Sequence, residues 1–140
     1  MNLSAAITDN VTEILVKIIE FTHNRQKLLT QNIQNINKPG FVPKDLPEHQ
    51  FSRLLNAAID EHINSGKLLL RDTELVKFGA NGTFEIAPVP DTKAGSLLTK
   101  SKSAYIKLQI TKLVQNLLDR KAAFGLLRQK GAAKKSWSDN

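Results

Sequence analysis

The chain contains no cysteine, which removes disulfides, thiolate metal sites and a thiol nucleophile together. Aromatic residues make up only 6% of it. Tyr105, Phe124 and Trp137 are too scattered along the basic C-terminal third to form a base-stacking platform. No stretch approaches the roughly 18 consecutive apolar residues that a bilayer-spanning helix needs. The first basic residue is Lys17, so no charged segment precedes an apolar run with a small-residue cleavage site, and no cleaved secretory leader is expected. Proline and glycine number only 5 and 7. Long segments are therefore free of helix breakers.

What is present is a length of 140 residues and a hydrophobic content of 41%, enough for one domain with a small core. The net charge of +7 is uneven. Residues 93–140 hold 11 Lys and Arg against Asp119 and Asp139, a balance of +9, so the rest of the chain sums to −2. A basic C-terminal third suits either a phosphate backbone or an acidic protein neighbour.

Two segments carry heptad-like apolar spacing. Over 5–36, Ile7, Val11, Ile14, Ile18, Phe21 and Leu28 step by fours and threes, with Arg25, Asn32 and Asn35 on the same seam. Over 98–130, Ile106, Ile110, Leu113, Leu117, Phe124 and Leu127 do the same, with Arg120 as the one polar residue. Lys38-Pro39-Gly40 ends the first helix and Gly131 is expected to stop the last. Each seam is more apolar surface than a short loop can cover. The two helices can pair with each other or with copies on other chains.

Between them, Phe51, Leu54, Leu55, Ala58, Ile59 and Ile63 predict a helix over 47–64, closed at Ser65-Gly66. Asn81-Gly82 between Leu75–Phe78 and Thr83–Val89 predicts a β-hairpin, with a third strand at Leu68–Leu70 as an option. Pro88, Pro90, Asp91 and Gly95 read as a linker. The fold expected is mainly α. It is an elongated helical hairpin or coiled coil of N- and C-terminal helices with a small α+β middle module, in segments 1–41, 42–97 and 98–140.

The sequence offers no convergent chemistry. His23, His49 and His62 lack metal-ligand spacing, and His62 reads as a solvated helix residue. Gly79-Ala80-Asn81-Gly82 lacks the Lys and Ser/Thr of a phosphate loop. Ser96, Ser101 and Ser103 have no nearby histidine to build a nucleophile. No enzyme, cofactor, metal or small-molecule substrate is expected.

The residues 24–41, NRQKLLTQNIQNINKPGF, carry a specific pattern. They resemble the signature of the flagellar basal-body rod family, in which a heptad helix runs into A-N-x-A-N-x-x-T-P-G followed by Tyr or Phe. Asn32, Ile33, Asn35, Pro39, Gly40 and Phe41 match, and Arg25-Gln26 is similar to the polar pair that precedes it. Gln31, Gln34 and Lys38 depart from the pattern. Gln115-Asn116-Leu117-Leu118 is similar to the family's closing helix, with Gln115 in place of Glu. The resemblance covers both ends, roughly half of the chain, and the length favours the short proximal-rod members.

The resemblance implies a structural subunit that is exported without a cleaved leader by the flagellum-specific type III apparatus. It implies assembly into the periplasmic drive shaft through the terminal helices, beside other rod proteins and copies of itself, with no membrane insertion. On that reading the seams are buried between subunits, Asn32 and Asn35 hold the backbone at the Pro-Gly turn, and the terminal helices order on assembly. The competing expectation is a small basic nucleic-acid-binding protein, and a third is a partner-binding module on rod-like termini.

Overall fold

The computed structural model describes residues 3–79 and 83–138, with side chains over 10–79 and 83–131. The molecule is mainly helical, with a long C-terminal helix packed on the N-terminal one and small antiparallel strand pairs between them. Helix α1 spans Leu3–Gln34, β1 Lys44–Asp45, α2 Glu48–Ser65, β2 Val76–Lys77 and β3 Glu85–Ile86. Strand β4 covers Val89–Pro90, α3 Thr92–Lys100 and α4 Lys102–Ser138.

Helix α1 is central. One side carries Phe21, which is buried with Leu46, Phe51, Leu55, Val76, Phe78 and Phe84 in the main apolar core. Phe21 and Phe51 stack with centroids 4.2 Å apart, and Phe84 meets Phe51 edge-on at 5.9 Å. Ile14, Ile18 and Leu28 pack against the same cluster. The middle module therefore covers Ile14, Ile18, Phe21 and Leu28 of the predicted α1 seam, while α4 packs on α1 as the expected partner helix; Val11 is exposed and the Ile7 side chain lies outside the described residues. A mixed layer of one helix and a hairpin offers the same apolar complement at the heptad positions.

The middle elements follow their local chemistry. Helix α2 begins after Pro47, carries Glu48 in its first turn and buries Phe51, Leu55 and Ala58 at i, i+4 and i+7. Gly66 takes φ 75° and donates its amide to the His62 carbonyl at 2.8 Å, a left-handed cap that costs glycine little. Ile63, expected on the buried face, is exposed. Strands β2 and β3 pair antiparallel, Val76 opposite Ile86 and Lys77 opposite Glu85. The hairpin's Asn81-Gly82 turn lies outside the described residues. Leu68–Leu70 forms no strand; β1 pairs instead with β4, Lys44 opposite Pro90 and Asp45 opposite Val89.

The C-terminal third differs from the expected single helix over 98–130. Asp91 is no linker residue: its carboxylate accepts from the Ala94 amide at 3.0 Å and caps α3. Ser101, at φ −158° and ψ 105°, interrupts the helix. Its amide closes α3 on the Leu97 carbonyl, while its Oγ and carbonyl accept from the amides of Ala104 and Tyr105 at the start of α4. One serine thus ends one helix and begins the next. Gly131 does not stop α4, which continues to Ser138, since a helical glycine costs only about 1 kcal/mol relative to alanine.

Candidate assembly interface

The geometry of the 24–41 segment starts with Asn32, which is buried. Its Nδ2 donates to the Lys44 carbonyl at 2.7 Å and its Oδ1 accepts from the Lys44 amide at 3.2 Å. The chain leaves α1, turns through Asn35–Phe41 and is caught again at β1 by this amide. Gly40 takes φ 74° within the turn, which favours glycine there. The Phe41 amide donates to the Lys38 carbonyl at 3.2 Å, and Pro39 is exposed. Ile33 and Phe41 are half-buried. Asn35 was expected to hold the turn, but its Nδ2 donates back to Gln31 within the helix, at 2.9 Å. It points along the helix surface, so the clamp is made by Asn32 alone.

Asn32 also joins α1 to α4. Its Nδ2 lies 3.0 Å from Gln109 Oε1, and the Tyr105 hydroxyl donates to the Asn32 carbonyl at 2.7 Å. Burial, with the nearby Asp91 charge, pushes the Tyr105 hydroxyl above its ordinary pKa. Further along, Asn116 Nδ2 donates to the Thr22 carbonyl at 2.7 Å. Lys102 reaches Asn37 at 2.7 Å, tying the start of α4 to the turn.

A chain of ion pairs runs beneath these contacts. Arg25 Nε and Nη2 donate to the two Asp45 oxygens at 2.9 Å each, and Nη2 lies 3.3 Å from Glu48. Lys112 Nζ reaches Asp45 at 2.8 Å and Asp91 at 2.6 Å. Glu48, Arg25, Asp45, Lys112 and Asp91 thereby knit α2, α1, β1, α4 and the α3 cap together. Burial pushes the Asp45 carboxyl up, but hydrogen bonds from Arg25 and Lys112 outweigh it and hold the group below its ordinary value. Arg25 and Lys112 likewise lose to burial and gain more from their carboxylates, so both sit above their ordinary values.

The face of α4 turned to α1 is consequently polar: Tyr105, Gln109, Lys112 and Asn116, followed by Ala123. The predicted seam stands one residue further along. Ile110, Leu117 and Phe124 are 49%, 44% and 42% exposed, while Ile106, Leu113 and Leu127 are half-buried at its edge. One residue is about 100° of rotation, so the apolar stripe flanks the α1 contact and does not fill it. Val114, Leu118 and Leu126 add to the exposed surface. No spacing argument finds the polar seam, because polar side chains such as Gln109, Lys112 and Asn116 at heptad positions read as surface until their partners are known.

Among the described residues, no three His, Cys, Asp or Glu side chains come together to hold a metal ion, and no helix is long and apolar enough to cross a membrane. His62 is half-buried, its Nδ1 3.1 Å from Asn10 Nδ2. Comparison with known proteins yields no matching family model, curated protein or solved structure.

Proposed function

We propose that this chain is a structural subunit of the bacterial flagellar basal-body rod, built into the drive shaft through α1 and α4. The single observation that carries this reading is the exposed apolar stripe of α4. A helix that satisfies its intramolecular contact with polar groups and leaves Ile110, Leu117 and Phe124 in water presents a surface suited to association. The rod-like signature at 24–41 supplies the identity of the assembly. Its Asn32 clamp couples the direction of α1 to that of the middle module, which suits a subunit whose helices and outer module must keep a set angle in a shaft.

Basal bodies isolated from the native host provide the test. The chain is expected in the rod fraction, and Leu117→Ser with Phe124→Ser is expected to remove it and abolish motility while the protein still folds. Isolated basal bodies that lack the wild-type chain refute the proposal.

A further inference from the structure

The outer flank of α4 carries more than apolar residues. Lys107 precedes Ile110 by three positions, Arg120 follows Leu117 by three, Lys121 follows Leu117 by four and Arg128 follows Phe124 by four. Each cation therefore stands about one turn from a member of the stripe. None of these four makes an ion pair among the described residues. The cation that faces α1, Lys112, is by contrast paired twice.

Beside the stripe runs a groove between α4 and α1. Gln26, Leu113, Val114 and Leu117 line one part of it, and it continues past Gln26 between Arg120 and the α1 residues His23 and Lys27. Asp119, the one carboxylate among the described residues of α4, lies elsewhere, beside Glu48 and Leu15 on the module side. The groove thus has an apolar part at Leu113, Val114 and Leu117 and a polar continuation that carries Lys27 and Arg120 and no carboxylate.

We infer that this flank receives an acidic amphipathic helix from a different protein, and that a second copy of this chain does not occupy it. The inference rests on the assembly reading to the extent that both take the α4 stripe to be an interface. Two α4 flanks laid together would oppose unpaired cations, and like charges across an interface disfavour pairing. Phe21 of α1 and Phe51 and Leu55 of α2 are spent on the core, Glu20 is paired with Lys17, and Glu61 with Arg71. A phosphate backbone would satisfy the rim but leave Ile110, Val114, Leu117 and Phe124 in water, whereas the steps of four, three and seven between these apolar residues suit the anchors of a helix laid along them. From Lys107 to Arg128 the flank is about 30 Å long, the length of roughly three heptads.

Fluorescence anisotropy with the full chain tests this. Two synthetic peptides of about 21 residues share Leu and Ile at a and d, and carry either Glu or Lys at the flanking positions. The Glu peptide is expected to bind at least about tenfold tighter than the Lys peptide at low ionic strength, and to weaken as salt rises. Replacing Arg120, Lys121 and Arg128 together with Glu should invert the preference, and Leu117→Ser with Phe124→Ser should weaken both peptides. Thermal melts of each variant establish that it is folded. Equal binding of the two peptides overturns the inference. So does a wild-type dimer in sedimentation that the two Ser substitutions dissolve, an outcome that leaves the assembly reading standing. If neither peptide binds, the inference falls, and the assembly reading is decided separately by the basal-body fraction.

Discussion

The side-chain amide of Asn32 meets the backbone of Lys44 on both of its polar groups, donating to the carbonyl and accepting from the amide twelve residues away. A side chain here takes the part of a strand neighbour. It closes the turn without requiring α1 to unwind, and Gln109 and Tyr105 bring α4 to the same point. The end of α1, the start of β1 and the first turns of α4 are thereby one polar junction.

Asn32→Ala should cost about 2–4 kcal/mol in urea unfolding, because it removes three hydrogen bonds and leaves buried backbone and amide groups without partners. Asn35→Ala should change stability by no more than about 0.5 kcal/mol, since its bond is a local one on a half-exposed helix face. Equal effects would show that the turn, and not the clamp, holds the chain.

Asp45→Asn leaves Arg25, with a side chain only 5% exposed, facing a neutral amide, and should cost about 3–5 kcal/mol at neutral pH. The folded Asp45 pKa lies below its unfolded value, so its contribution is full above about pH 4–5 and is lost as pH falls through the folded value. Lys112 has the opposite sign: its raised pKa gives a contribution that is full below the unfolded value and lost as pH rises through the folded one. The stability gap between wild type and Asp45→Asn should stay constant from about pH 5 to 9 and close toward pH 2. A gap that does not change with pH would contradict the ion-pair account.

Asp91 does two jobs that two substitutions separate. Asp91→Asn keeps an acceptor for the Ala94 amide and loses the Lys112 pair, whereas Asp91→Ala loses both. The Ala variant should be less stable than the Asn variant by about 1 kcal/mol, the value of a helix N-cap. Thermal or urea unfolding of the pair reads that difference directly.

Leu117→Ser and Phe124→Ser should each leave monomer stability within about 0.5 kcal/mol of wild type, while Phe21→Ala should cost about 3–5 kcal/mol. The contrast follows from exposure, since Phe21 is 5% exposed and both stripe residues exceed 40%. A large loss from either serine would mean that the stripe is structural within the monomer.

Residue order alone was sufficient for α1 and its end at Lys38-Pro39-Gly40, for α2 with its cap at Gly66 and for a small middle module, because periodicity, breakers and glycine act over a few neighbouring residues; the break at Ser101 and the run of α4 past Gly131 were not foreseen. Residue order also singled out Asn32 together with Asn35, and only the fold shows that Asn32 is the one that holds the Lys44 backbone. The partners of the helices were not readable in this way. Ile14, Ile18, Phe21 and Leu28 say only that something apolar covers them, and the fold supplied α2 and the hairpin. Ile110, Leu117 and Phe124 carry a proper heptad yet lie in water, while Tyr105, Gln109, Lys112 and Asn116 make the contact with α1. That choice was tertiary. Asp45, Asp91 and Asn32 must converge from distant parts of the chain before a polar face becomes the better satisfied one, and no local spacing records where they will meet.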